Sequence, residues 1–562
     1  MAKAPDLKAI LEAYGRLGNK AAVARELGID RGTVSKKLIE AGVEGSPISQ
    51  GQLGYSKPIR RPLPAKGYVK RYIISSAQNN TEPHTKFLDN LEAYAAFLHA
   101  EIMVCAFSYN KIAYANARPL VPRPEAKADP RASLVYTERV KPYIVNMGPR
   151  ETRSILLAPD LLLCGELDIL PTAAEPMRGL DGYGGGTTSI IVPHSKIALK
   201  SVATAKGDDP KFIYTTGTTT RRNYIQRLSG QKAEFHHSYG ALIVEVDSEG
   251  SWWVRQLNAK DDGSFEDCPE GAEGTVEVRD GTVLQGGRVE AISLGDVHAS
   301  EIDEDVAQSI WSSEGWNDDY SIVDALEPKY QFLHDLLSFR SRSHHDRKDP
   351  AKMLAKHFLG VGQDSVAQEV AVTADIMHMA ARDFCRLVVV NSNHDRHGER
   401  WINEADWRED PVNAVFLLEA QLAQAVAIVE AAGRDEMTDW QFHEWALKRA
   451  GCPDALFLKR DEGFRICGNI ECGWHGDEGP NGSRGTTRAF KNVGVRVNKG
   501  HDHTAAIMDN VYSAGACARS YGYQHGPGSH SVSHIITYRN GKRQIVTYRN
   551  NRWRAVGKPA KK

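Results

Sequence analysis

Cysteine is scarce, with eight in 562 residues, which excludes a disulfide-built scaffold and fits a cytoplasmic chain. Uninterrupted apolar runs are also lacking. The nearest candidate, Val412 to Ala432, is broken by Glu419, Gln421, Gln424 and Glu430, so an amphipathic helix packed on a core is expected there rather than a bilayer span. The start, MAKAPDLKAI, has no basic stretch followed by an apolar one, and no export signal or membrane role is expected. There is no G-x-x-x-x-G-K-[ST] phosphate loop and no G-x-S-x-G elbow, so neither nucleoside-triphosphate-driven work nor serine-hydrolase chemistry is expected. Net charge is nearly absent, with 70 Lys+Arg against 71 Asp+Glu. That argues against a chain basic throughout but leaves local patches open.

Histidine, by contrast, is plentiful and unevenly placed. Fifteen of the 20 lie between His298 and His534, which directs attention to one region, because imidazole is the commonest metal ligand and a proton carrier near neutral pH.

The length predicts three to five units, by roughly 100–200 residues per domain. Residues 1–44 read as a helix-turn-helix head, with Val23, Leu27, Ile29, Val34 and Leu38 as its core. Its second helix would present Arg31, Thr33, Ser35, Lys36 and Lys37 to DNA, although a small protein-contact module of three helices fits the same pattern. Residues 45–67, rich in Gly, Pro and Ser, read as a linker. Residues 68–287 have the mixed pattern of an accessory α/β domain, with strands expected near 72–75, 101–107, 154–163, 188–192, 212–215 and 242–246. The pieces GYGGGTTS (182–189) and TTGTTTRRNY (215–224) could cradle phosphates, but hairpin loops explain them better. The acidic, Gly-rich 247–287 reads as a surface excursion. Residues 288–537 hold the chemistry. Residues 538–562, with nine Lys+Arg and no acid, read as a hairpin and solvated basic tail whose Tyr538, Tyr548 and Trp553 could meet nucleic acid.

Within 288–537 five short signals follow in order: Asp296-Val-His298; His334-Asp335; Asn393-His394-Asp395 after the strand-like LVVV; His475; and Gly500-His501-Asp502-His503. Asp-x-His and His-x-His on extended segments would aim both side chains to one side. Carboxylates, imidazoles and an Asn amide oxygen, with little thiolate, suit Mn²⁺, Fe²⁺ or Zn²⁺. Seven such donors are too many for one tetrahedral ion and fit two ions sharing a carboxylate. Cys467 and Cys472 near His475 form at best a loose zinc clip.

This series resembles the calcineurin-like metallophosphoesterase superfamily, whose signature runs D-x-H, G-D, G-N-H-D/E, H and G-H-x-H. The resemblance covers roughly residues 288–535 and implies an α/β fold with a metallophosphoesterase β-sandwich flanked by helices. It implies Asp296, His298 and His503 on one metal, Asn393, His475 and His501 on the other, and Asp335 bridging two divalent ions, Mn²⁺ foremost with Mg²⁺, Fe²⁺ or Zn²⁺ as alternatives. His394 would be the unligated imidazole serving the leaving oxygen, with Asp395 orienting it. His334 and Ser392 stand where that signature has glycine. The stretch RYIISSAQNNTEPHTKFLDNLEAYAAFLHAEIMV and the ending ITYRNGKRQIVTYRNNRWR resemble phage-encoded early proteins that degrade host DNA, and the superfamily includes SbcD-type nucleases. The expected activity is metal-dependent hydrolysis of DNA phosphodiesters. A DNA-binding regulator with a structural phosphoesterase fold, or a phosphomonoesterase or RNA-processing enzyme, are the alternatives. Pairing with a second copy is left open.

Overall fold

The computed structural model describes residues 7–17, 20–29, 33–34, 37–38, 41, 58–109, 136–147, 154–343, 345–346, 349–358, 363–521 and 524–560. It is a mixed α/β structure with several sheets.

Short β-branched runs such as VEAIS and RLVVV are apolar on both faces, as befits central strands covered on both sides. They build a six-stranded sheet in the order Ala455–Phe457, Arg386–Val390, Tyr330–His334, Val289–Ser293, Ser533–Tyr538, Arg543–Thr547. The first four are mutually parallel, so their C-terminal ends share one edge. The last two run antiparallel. Helices cover one face through Trp311, Met377, Trp401, Phe416 and Phe442. Against the other face, Ala291, Phe332, Val388 and Val390 meet Ile466, Ile470 and Cys472, which belong to a second, eleven-stranded sheet.

That second sheet joins the two halves of the chain. Leu199–Val202 pairs antiparallel with Ala506–Met508, so hydrogen bonding runs unbroken from Ile59–Arg60 to Arg465–Ile466. A five-stranded sheet centred on Tyr68–Gln78 packs on it, and Tyr72, Leu242, Val244 and Trp252 share a core with Ile191, Phe212, Ile507 and Ile545.

The strands expected in 68–246 are all present, but 247–287 is not a surface excursion. Trp252–Asn258 is an interior strand, and Phe265, Val276 and Val278 are buried. The acidity of this stretch is partly structural: Asp267 accepts from Arg255 at 2.7 Å, and Arg255 reaches Glu245 at 2.8 Å, which also meets Arg71 at 3.2 Å. All four side chains are buried. Glu245→Ala removes the carboxylate shared by two buried guanidinium groups and leaves Arg255 with Asp267 and Arg71 with Glu270 at 3.2 Å; it is expected to cost about 3 kcal/mol and to lower the thermal midpoint, and an unchanged midpoint would contradict this.

The C-terminal hairpin forms, Ser533–Tyr538 against Arg543–Thr547, but Tyr538, Tyr548 and Trp553 are buried and Arg554 is locked to Asp319 at 2.6 Å. Alternation of cations and aromatics here marks strands buried on both faces, not an exposed nucleic-acid surface. In 215–224 the threonine hydroxyls serve the backbone, Thr218 and Thr219 both donating to the Ser76 carbonyl at 2.9 and 3.1 Å, but the segment leads from the strand Lys211–Thr215 toward the helix Leu228–Phe235 and is not the hairpin loop expected. The Ala414–Ala432 helix differs from expectation. With mean hydropathy 1.6 it is long and apolar enough to cross a membrane by length and composition. Phe416, Leu417 and Ala420 dock it on the core, while Val415, Leu422 and Val429 are exposed.

At the head, Leu7–Leu17 and Lys20–Leu27 pack with Val34 and Leu38 around Ile10, Ala13 and Val23. Thr33 is exposed and Lys37 half-buried, while Arg31, Ser35 and Lys36 lie outside the described residues.

Two buried imidazoles make the fold acid-sensitive. Burial pushes His194 down to about 4 and His237 down to about 3. Below the unfolded value near 6.5 the unfolded chain binds more protons, so stability is full above that pH and falls as pH drops toward the folded values, by about 1.4 kcal/mol per unit for each group. His237→Gln is expected to flatten the midpoint-versus-pH curve between pH 6.5 and 4. An identical curve would show that this imidazole does not contribute.

Candidate metal centre

The parallel strands deliver their C-terminal loops to one edge, where sites in α/β sheets are built. Val289–Ser293 is followed by Asp296 and His298, Tyr330–His334 by Asp335, and Arg386–Val390 by Asn393 and His394. From the eleven-stranded sheet come His475, after Ile470–Glu471, and His501 and His503, after Arg496–Lys499.

Asp296, His298, Asp335 and His503 converge, with one ligand atom from each within 4.8 Å of the others. Asp335 Oδ2 lies 3.6 Å from His298 Nε2 and 3.3 Å from His475 Nε2. His503 Nε2 lies 3.1 Å from Asp296 Oδ2 and 3.3 Å from His298 Nε2. His475 Nε2 is also 3.1 Å from Asn393 Oδ1, and its ring stands 5.2 Å from that of His501. Asp335 therefore sits between two groups of donors. Asp335 Oδ1 is buried and accepts no hydrogen bond, a costly arrangement for a carboxylate unless a cation faces it. The donor set of hard oxygens and imidazole nitrogens fits a divalent ion. It is the only such acid/His/Cys group among the described residues, and neither Cys467 nor Cys472 joins it.

Backbone strain supports the same centre. His298, Asp335, His501 and His503 have φ of 44°, 47°, 70° and 51°. Such left-handed conformations cost of order 1–3 kcal/mol each in non-glycine residues and cluster where function requires them. The pairs thus converge through tight left-handed loops, not through the extended segments expected from Asp-x-His and His-x-His. Gly500 is required for a different reason: a Cβ there would lie 2.1 Å from Asp296 Oδ1 and 3.0 Å from His334 Cβ. The absence of that Cβ lets the His501 amide donate to Asp296 Oδ1 at 3.0 Å.

Over 493 residues the chain is 38% identical to Protein A1 of Escherichia phage T5, which covers 86% of this chain and 83% of that protein. The chain belongs to the Protein A1 family. No family model matches it, and no solved structure matches it.

His394 stands beside the cluster, its ring 4.8 Å from that of His298. Its Nδ1 is bonded to the Ser338 carbonyl at 2.8 Å. Asp395 does not orient it, contrary to expectation: that carboxylate accepts from the Ser392 amide at 2.8 Å and hydroxyl at 3.1 Å, with His443 at 3.7 Å. Ser392 thus has a purpose that glycine could not fill.

Several supporting residues escaped the sequence. Ser338 holds His298 Nδ1 at 3.0 Å. Tyr521 donates to the Asp296 carbonyl at 3.0 Å and packs its ring 4.7 Å from that of His298. Gln524 links His503 and His530, and His534 Nδ1 accepts from the Gly295 amide at 3.1 Å. His530 and His534 are therefore part of the scaffold around the centre rather than loop residues. His334 is fully buried with its ring 5.6 Å from that of His475.

The electrostatics call for positive charge. Burial alone would raise Asp296 and Asp335, but the surrounding imidazoles more than offset it and hold both below the ordinary carboxylate range. Burial would lower His475, yet Asp335, then Asp296, push it up to about 9; His503 is raised by Asp296 in the same way. Burial lowers His298 well below its usual value, which keeps a lone pair free for a metal.

Proposed function

We propose that this A1-family protein is a metal-dependent nuclease that hydrolyses DNA phosphodiester bonds, acting in a host cytoplasm. The observation that carries the reading is the buried, strained Asp/His centre with Asp335 placed between two donor groups. Asp296, His298 and His503 would hold one ion, Asn393, His475 and His501 a second, and Asp335 both, in the arrangement of a calcineurin-like metallophosphoesterase. When bound, such ions lower the pKa of a water and neutralise phosphate oxygens. The chain's own residues supply the remainder. The two ionised carboxylates fix the charge of the centre, and Ser338 and Tyr521 hold His298 and the Asp296 loop in place. His394, tethered through Nδ1, presents its other nitrogen as the proton donor for the leaving oxygen. The head at 1–44 is the candidate for gripping duplex DNA.

The test measures cleavage of linear, circular and single-stranded DNA with Mn²⁺, Mg²⁺ or EDTA. Cleavage with Mn²⁺ that EDTA abolishes is expected. Tight, salt-sensitive DNA binding without metal-dependent cleavage would replace this reading with that of a DNA-binding regulator, and turnover of a small phosphodiester but not DNA would point to another phosphoesterase substrate.

A further inference from the structure

Beside the metal centre, where the two parts of the chain share the eleven-stranded sheet, two cavities of about 440 and 400 Å³ lie side by side. They have Ala174, Lys196 and Lys491 in common, and the larger is lined by Thr504, the residue after His503. Six cations face them: Arg178, Lys196, Lys200, Lys232, Arg488 and Lys491. Only Glu175 and Asp509 oppose these on the walls.

The balance is most uneven at Asp509, in the turn between Ala506–Met508 and Val511–Ser513. This single carboxylate is in contact with Lys196 and with Lys491 at 2.5 Å, and His236 is 3.2 Å away. Lys196 is only 7% exposed. Lys196 Nζ has one further partner, the Ala174 carbonyl at 3.3 Å, so two ammonium groups share one carboxylate and the site keeps an excess of positive charge that an anion would complete. Elsewhere Arg488 pairs with Glu175 at 2.7 Å across the mouth, and Lys200 with Asp181. Arg178 and Lys232 are exposed.

We infer that this double cavity is a track for the phosphodiester backbone of a single nucleic-acid strand leaving the metal centre, with Lys196 and Lys491 holding one phosphate. The identity of the strand rests on the nuclease reading; the charge excess does not. Six cations around two adjoining cavities, the larger lined by the residue after His503, fit a polyanion better than a single free phosphate, because counterion release from successive phosphates is what such a set exploits.

The test is anisotropy of a labelled single-stranded oligodeoxynucleotide of about 15 nucleotides, in EDTA so that nothing is cut, with wild type and the Lys232→Ala, Arg178→Ala and Lys491→Ala variants. Each variant is expected to weaken binding by about three- to tenfold and to reduce the salt slope by about 0.7. Lys232 and Arg178, being exposed, keep the test valid if Lys491→Ala fails to fold. Unchanged affinity and slope in the Lys232 and Arg178 variants would overturn the track. So would an acidic peptide that binds in place of the oligonucleotide and is lost in the same variants. A wild type that never cuts DNA, yet loses oligonucleotide affinity in the variants, would sink the nuclease reading and leave the track standing. A wild type that cuts DNA, with variants that bind as it does, would do the reverse.

Discussion

Asp335→Asn is expected to lower Mn²⁺-dependent DNA cleavage by roughly 10³-fold or more, about 4 kcal/mol of lost transition-state stabilisation. The substitution preserves shape and removes charge from the one carboxylate that faces both donor groups, within 3.6 Å of His298 and 3.3 Å of His475. Its backbone at φ 47° tolerates Asn, which adopts left-handed conformations more readily than most residues, so the folded state should survive. Calorimetric titration with Mn²⁺ should show the loss directly, as weaker binding or fewer ions. Full activity in this variant would refute the assignment of the centre.

His394→Ala is expected to cut turnover by roughly 10²–10⁴-fold, the usual contribution of a positioned general acid, while Mn²⁺ binding is unchanged. The separation follows from geometry: His394 lies against His298, its Nδ1 is tied to the Ser338 carbonyl, and neither proposed ligand set uses its other nitrogen. A substrate whose leaving group needs no proton, such as a p-nitrophenyl phosphodiester, should recover much of the lost rate. If Mn²⁺ binding falls instead, His394 is a ligand and the proton donor lies elsewhere.

The convergence of Asp296, His298, Asp335 and His503 was legible in the sequence because these residues come as short pairs at the ends of strand-like runs, and their types are chemically distinctive. Their conformation was not. Asp-x-His looks extended on paper, whereas His298 and His503 turn left-handed, since loops meeting at one point must bend more sharply than a strand can. Ser338 and Tyr521 were invisible because each acts from a loop through isolated polar contacts, which leave no periodicity. Asp395 was misassigned because adjacency to His394 in the chain is a poor guide to which group a carboxylate faces. The fate of 247–287 was hidden similarly: Glu245 and Asp267 look solvated until Arg71 and Arg255 are seen beside them. Aromatics interleaved with cations near the C-terminus fitted an exposed surface and a buried hairpin equally well, and only the partner strand decides.

The pairing of Leu199–Val202 with Ala506–Met508 has a consequence for how such proteins can be cut and recombined. A fragment starting at residue 288 would keep every proposed metal-binding side chain, yet would expose an unpaired strand edge and one wall of the apolar core around Ile507 and Ile545. Exposed edges of that kind recruit other chains. The body of the protein is therefore expected to fold as one piece, and homologues to vary by insertion in its loops rather than by exchange of either half.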